Sequence, residues 1–340
     1  MRLSNIRDSD LKDYDIICVG DLCADLIIPY GETKRILEIM QKNPACGDKE
    51  EVLFRSGGSI GNTAKILGKL EQRPLLIADL TSDQIGDFLK KEMENHGVNM
   101  DYSYISDRGS YLCIAVLDAE NERTMFVWVP PWARLDRFTG DSFPEELFLK
   151  PAIVFSSGMV LHDDIESGKA VIEFFKRMKE NQSILVFDLN IRAESYGFAE
   201  ERRALFMEML EHVDIVLGSG VEEFGQITGK GDLHEAVRAL AGKNRCIIAR
   251  NGKEPVLVQE GFEISSVETE TVKPVTTVGA GDTFNAAFLM ALRQGYELRQ
   301  CVSFANKIAA YMISSTEHLA IPDNAQGLLE NIGLEKNERR

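Results

Sequence analysis

The sequence predicts an α/β fold: a central, mostly parallel β-sheet with helices on both faces, and a small β-sheet beside it acting as a lid. Three observations predict it. Short apolar runs without alternation, among them "ILVFDLN" at 184–190, "VDIVLG" at 213–218 and "RCIIAR" at 245–250, are each separated by helical stretches, as strands covered on both faces require. Those stretches carry a 3.6-residue period, clearest at 170–180, where Val171, Phe174, Phe175 and Met178 share one face. One region, 110–130, breaks the alternation and reads as a hairpin.

In chain order, "DIICVGDLCADLIIPYG" opens with a strand at 16–19, turns at Gly20 and resumes as an apolar run at 26–28. Residues 31–51 carry mixed charge with Pro44 and Gly47. "EVLFRSGGSIGNTAKILGKLEQRPLLIAD" then reads as a short strand, a glycine turn, a helix and another strand, and a helix at 88–96 follows. The hairpin "SYLCIAVLDAENERTMFVWVP" turns at 118–123. Its second strand sets Phe126 and Trp128 on one side and Met125, Val127 and Val129 on the other, so both faces are apolar and each must cover something. Residues 26–54 and 110–130 are therefore expected to form the lid, and 1–25, 55–109 and 131–340 the α/β core. An edge extension of the main sheet is the competing arrangement. A strand at 152–156 precedes "HDD" at 162–164, read as a helix start. Beyond Ala280 the chain is mostly helical, through "ELRQCVSFANKIAAYMI" and a last helix near 324–332.

Composition narrows the function classes. The 340 residues hold 38 Lys and Arg against 54 Asp and Glu, a formal net charge of -16. That disfavours a broad surface for nucleic acid or anionic membrane, though it allows a local basic pocket. The 6 cysteines include no CxxC pair and sit mostly in apolar segments, which points to reduced, buried thiols and away from zinc or disulfide scaffolds. The amino terminus is too polar for a signal peptide and no apolar run is long enough to cross a bilayer, so a cytoplasmic location is expected.

Several motifs fail. There is no GxxxxGK[ST], and "VGAGDT" lacks the third glycine of a dinucleotide fingerprint. "GGSIG" matches GxSxG at Ser59 and would need Asp188 or Asp282 as acid and His318 as base. That elbow arises before most of the sheet has been built, and nothing else distinguishes His318. The other histidines lack metal-ligand spacing.

The strongest signal is "TVGAGDTFNAAFLMAL" at 277–292. Gly279, Ala280 and Gly281 lack bulky side chains, so their N–H groups can face one concavity where a helix begins, and such a helix end favours phosphate. Asp282 stands in the first turn, within reach of a hydroxyl at the same mouth. A carboxylate beside an anion hole is what phosphoryl transfer to an alcohol needs. An ordinary cap, with Thr277 or Asp282 satisfying N–H groups, is the competing reading. Asp25, just past the first glycine turn, suits hydroxyl hydrogens. In "GGSIGN", Gly57 and Gly58 let a ligand approach the backbone and Asn62 offers both donor and acceptor. A turn cap at Asp25 and a helix cap at Asn62 are the alternatives there.

Together these residues resemble the ribokinase-like family, the PfkB-type carbohydrate kinases: "GGSIGNTAKILGKL" is similar to the family's amino-terminal signature and "TVGAGDTFNAAFLMAL" to its carboxy-terminal one. The resemblance runs from Asp15 to Pro322. It implies transfer of the γ-phosphoryl of ATP, with Mg2+, to a hydroxyl of a sugar or sugar-like acceptor, under a β lid. Asp282 would be the base, Gly279, Ala280 and Gly281 the anion hole, and Asp25, Gly57, Gly58 and Asn62 the acceptor's contacts. "FDLNIR" resembles the family's DPNxR stretch, placing Asp188, Asn190 and Arg192 near acceptor or phosphate; "FANKIAA" places Asn306 near the nucleotide.

The chain also departs from the pattern. "GVEE" stands where the family has NxxE, leaving Glu223 to organise magnesium-bound water and Gly220 in place of the asparagine. "ARNGK" replaces a glycine-containing "TLG", with Arg250 or Lys253 as phosphate contacts on charge alone. Relatives that use a monovalent cation carry aspartate where this chain has Thr276, so potassium use stays open. Cys23 stands where ribokinase itself has asparagine, so ribose is not implied. A nucleoside acceptor, a weakly catalytic nucleotide- or sugar-binding regulator, and a homodimer through the lid's apolar faces remain open beside the sugar kinase.

Overall fold

A computed structural model describes residues 14, 16–28, 53–117, 123–162, 164–242 and 244–334. The hairpin turn at 118–122 and the mixed-charge stretch at 31–51 lie outside the described residues. β1 (Ile16–Val19) already divides the molecule: Ile16 and Cys18 enter one apolar cluster, Ile17 and Val19 the other. Neither face of the strand meets water, which is why its sequence shows no alternation.

Next come β2 (Cys23–Ile28), β3 (Leu53–Gly57), β4 (Pro74–Ile77), β5 (Asp79–Thr81), β6 (Tyr104–Ser106), β7 (Leu112–Leu117), β8 (Arg123–Trp128) and β9 (Ile153–Ser157). The rest are β10 (Ile184–Asp188), β11 (Ile215–Ser219), β12 (Cys246–Asn251), β13 (Glu254–Glu260) and β14 (Glu263–Val267). The main sheet has the order β14-β13-β12-β11-β10-β9-β1-β4. It is parallel from β4 to β12, and β13 and β14 fold back antiparallel at one edge. One face carries the helices Ser59–Lys69, Gln84–Asn95, Ala280–Arg293, Leu298–Ser314 and Ala325–Leu334; the other carries Ile165–Glu180, Glu200–His212, Gly220–Thr228 and Leu233–Leu240.

A second sheet has the order β3-β2-β7-β8. β2 lies parallel to β7 and antiparallel to β3, and β8 closes the hairpin with β7. Because both neighbours hold it, β2 begins at Cys23 rather than at the apolar run 26–28, so Asp25 stands inside a strand. Cys113 of β7 pairs with both Asp25 and Val127, which places these three on one face of the sheet; Val127, Val129 and the half-exposed Phe126 all line a cavity.

Helix boundaries follow their caps. Asp83 accepts from the N–H groups of Ile85 (3.1 Å) and Gly86 (3.0 Å), which starts a helix at Gln84, ahead of its apolar period. Asp164, in "HDD", accepts from Glu166 N–H at 2.8 Å and opens Ile165–Glu180. No helix among the described residues is long and apolar enough to cross a membrane.

Candidate active site

The chain leaves β1 toward β4 on one side and later returns to β9 on the other. The carboxyl ends of β1 and β9 thus flank a switch point, where open α/β sheets place ligands. A cavity of about 590 Å³ lies there. Asp21, just past β1, and Met159 and Val160, just past β9, line it together with Cys23, Asp25 and Phe126 of the small sheet and Val278, Gly279 and Asp282.

The Ala280–Arg293 helix begins at Gly279, whose φ of 83° is the left-handed conformation that favours glycine. No side chain caps it. Asp282 is therefore not serving its own helix. Its carboxylate accepts from Ser59 Oγ at 2.8 Å and Asn62 Nδ2 at 2.9 Å, both on the Ser59–Lys69 helix. Burial pushes Asp282 up to about 6, although these two donors pull it down. Burial wins: the charged form is disfavoured by about 3 kcal/mol relative to water. Such a carboxylate remains ionised near neutrality and takes a proton more readily than an exposed aspartate. Of the helix-start donors, Ala280 N–H is engaged by Thr277 O at 3.3 Å, while the first-turn N–H groups of Gly281 and Asp282 have no intrahelical acceptor.

The Ser59–Lys69 helix starts earlier than a cap at Asn62 would require. Its N-terminal N–H groups are capped from a distance by Asp21, whose Oδ2 accepts from Ser59 N (2.6 Å) and Oδ1 from Ile60 N (3.3 Å). Burial raises Asp21, and those two donors oppose it. Asn62 Nδ2 donates one hydrogen to Asp282, and its Oδ1 is buried without a protein partner, so it can accept from a donor such as a ligand hydroxyl. Ser59 hands its proton to Asp282 rather than to a histidine, which removes the hydrolase arrangement; His162, not His318, lines the cavity.

Two glycines are forced by contact. A Cβ on Gly58, at φ 88°, would lie 2.5 Å from Asp21 O, and one on Gly57 would lie 2.2 Å from Asp25 Oδ2. Gly57→Ala is expected to push the Asp25 carboxylate aside and lower kcat/KM for the acceptor on the order of 10²-fold, leaving KM for ATP unchanged. Steady-state kinetics with each substrate varied in turn check this; unaltered acceptor kinetics would remove Asp25 from the site.

The remaining predicted residues divide into two groups. Asn190 and Arg192 line the cavity, and both hold left-handed φ values, 36° and 49°. Arg192 Nε donates to Asn190 Oδ1 at 2.8 Å, and Asn190 Nδ2 is buried without a protein partner. Asp188, by contrast, sits behind the cavity. Arg250 Nη2 donates to both its oxygens (2.9 and 3.1 Å) and Asn285 Nδ2 donates to Oδ2 at 2.6 Å. Arg250 also donates to Gly218 O (3.2 Å), Gly281 O (3.2 Å) and Asn285 Oδ1 (3.0 Å). Charge suggests a phosphate ligand; the geometry gives a tie between β10, β11 and the start of the Ala280–Arg293 helix.

Glu223 accepts from Ser219 N–H (2.6 Å) and Ile191 N–H (3.3 Å). Burial, then repulsion from Asp188, pushes it up to about 7. Lys253 is exposed in the turn between β12 and β13, and Asn306 is buried with its Nδ2 donating to Glu268 O at 2.9 Å. Neither lines the cavity.

Among the lining residues with polar or ionisable side chains, sequence reasoning missed Asp21, Tyr111, Cys113, Asp136 and His162. Tyr111 Oη donates to Asp136 Oδ2 at 3.1 Å, and Arg108 lies 3.2 Å from Oδ1. Burial pushes Asp136 up to about 7 despite Arg108, and burial beside Arg202 holds His162 down at about 4, hence neutral. Only Asp21 had a local signal, its place after Gly20 at a strand end.

Residues 14–323 match the model of the pfkB family carbohydrate kinases. A 5-dehydro-2-deoxygluconokinase of Halalkalibacterium halodurans is 24% identical over 337 residues, covering 94% of this chain and 95% of the relative. Among solved structures, the chain is similar to a fructokinase from Vibrio cholerae O395 with fructose, ADP and calcium ion bound (TM-score 0.74, 20% identity, 94% of this chain and 98% of that one). It is likewise similar to the aminoimidazole riboside kinase from Salmonella enterica complexed with aminoimidazole riboside and an ATP analog (TM-score 0.73, 21% identity, 92% and 99%).

Proposed function

This chain belongs to the pfkB family of carbohydrate kinases, and from that membership we propose that it transfers the γ-phosphoryl group of ATP to a hydroxyl of a monosaccharide or sugar acid in the cytoplasm. The observation that carries the reading is the Asp282 carboxylate, gripped by Ser59 and Asn62 beside an uncapped helix start, in the same cavity as Asp25.

Asp282 takes the proton of the acceptor hydroxyl as that oxygen attacks phosphorus. To the N–H groups of Gly281 and Asp282, free at the helix start, falls the charge that gathers on the moving phosphoryl oxygens. Asp25, Asn62 Oδ1 and Asn190 Nδ2 hold the acceptor's hydroxyls, and Arg192 offers a cation to a carboxylate or phosphate. Glu223, a carboxylate acting through water, would hold the Mg2+ that accompanies ATP, and that ion would supply charge to offset the phosphates. The sheet β3-β2-β7-β8 serves as the lid, with Val127, on the face that carries Asp25, over the acceptor and water excluded beneath it. A homodimer through this sheet would cover the half-exposed Trp128. Thr276 leaves potassium use open.

The pH profile follows from the base. Asp282 must be ionised to act and is pushed up to about 6 in the free protein, so log kcat/KM for the acceptor is expected to rise with pH below that value and to level above it. A rate flat down to pH 5 would remove Asp282 as the titrating group. Acceptor class is tested by assaying pentoses, hexoses, keto sugar acids and nucleosides for ADP release, with product mass confirmed. Turnover of nucleosides alone makes this a nucleoside kinase. ADP release without a phosphorylated acceptor makes it an uncoupled regulator.

A further inference from the structure

We propose that Cys23, Asp25 and Cys113 form a binding site for a thiophilic divalent cation of the zinc class, opening on the cavity. Strand geometry brings the three together. Cys23 and Asp25, two apart on β2, project to the same face, and Cys113 of β7 lies in parallel register opposite Asp25. Cys23 and Cys113 are 90 positions apart in sequence, so no CxxC spacing announces the pair.

The separations suit a tetrahedral ion. The two sulfurs are 3.5 Å apart, Cys23 Sγ is 3.6 Å from Asp25 Oδ1, and all three ligand atoms lie within 4.8 Å of one another. Bonds of about 2.3 Å to sulfur and about 2.0 Å to oxygen at tetrahedral angles place two sulfurs about 3.8 Å apart and a sulfur and an oxygen about 3.5 Å apart. Small side-chain adjustments therefore suffice. A disulfide would instead need the sulfurs to close to about 2.05 Å and an oxidant to accept two electrons. Metal binding needs neither: each thiol releases its proton to solvent as its sulfur–metal bond forms.

Three protein ligands leave a fourth position. All three residues line the cavity, so that position faces the space assigned to the acceptor. The cation would occupy Asp25 and exclude the acceptor. This competition rests on the proposed function; the binding of the ion does not.

The test titrates the full, untagged, reduced chain with Co2+. One equivalent is expected to produce thiolate-to-cobalt charge-transfer absorption and the visible bands of a tetrahedral ion, both removed by Zn2+. Cys23→Ser and Cys113→Ser should each abolish the charge-transfer band, Cys301→Ser should keep it, and Asp25→Asn should keep it at higher Co2+ concentrations. If a serine variant fails to fold by circular dichroism, maleimide labelling of the wild type read by mass spectrometry replaces it: Zn2+ should protect Cys23 and Cys113. No thiolate band in the reduced wild type, or protection confined to other cysteines, overturns the site. Inhibition by Zn2+ competitive with the acceptor supports the shared space. A band without competition leaves the metal site standing and removes Asp25 from the acceptor's contacts.

Discussion

Asp282→Asn is expected to lower kcat on the order of 10²–10⁴-fold, the usual contribution of a positioned general base, with acceptor and ATP affinities changed little. The amide is nearly isosteric and can still accept one of the two hydrogen bonds that Ser59 and Asn62 donate, so the cavity keeps its shape while the proton acceptor is lost. Rate measurements with both substrates saturating, together with acceptor titration, check the split. A variant that turns over at the wild-type rate would return Asp282 to a structural role.

The same geometry predicts what the neighbours do. Ser59→Ala removes a donor that favours the charged carboxylate, so Asp282 should titrate higher and the rising limb of the pH–rate profile should move to higher pH. A shift the other way would mean that Ser59 acts on the acceptor, not on the base. This distinguishes a holder of the base from a group that merely packs beside it, because only the former moves the limb.

Local features of this fold were legible in the sequence, and features assembled across the sheet were not. The turn and helix at Gly279–Asp282 depend on adjacent residues, as does the buried strand β10, and both can be read from one window. The hairpin β13–β14 went unread, although Gly261 between two strand-like runs, at φ 61° in the structure, marks its turn. Asp21 as a remote cap for Ser59–Lys69 is different: it acts across a connection that contains two strands of the small sheet. The same holds for Asp188, Arg250 and Asn285, which belong to β10, β12 and a helix and meet only because strand order sets β11 between the first two. Charge alone sends Arg250 toward phosphate. Its actual partner is a carboxylate whose burial no local pattern reveals.

That arrangement supports a second large effect. In Arg250→Met the apolar stem remains and the guanidinium goes, leaving Asp188, 4% exposed, with Asn285 as its remaining hydrogen-bond donor. Breaking a buried pair from one side costs about 3–5 kcal/mol, because the stranded charge has lost both water and partner. For a chain of this size the loss corresponds to a fall in Tm on the order of 4–7 °C. Adding Asp188→Asn removes the stranded charge and should recover part of the stability, so the double variant should be more stable than Arg250→Met alone. Turnover should drop as well, since Arg250 also holds Gly281 O and Asn285 at the start of the helix that carries Asp282. A direct phosphate contact predicts otherwise: KM for ATP would rise while stability stayed within about 0.5 kcal/mol of wild type and Tm hardly moved, as for a surface residue. Thermal unfolding of the two variants beside ATP kinetics therefore decides between them, and an unshifted Tm in Arg250→Met would refute the buried tie.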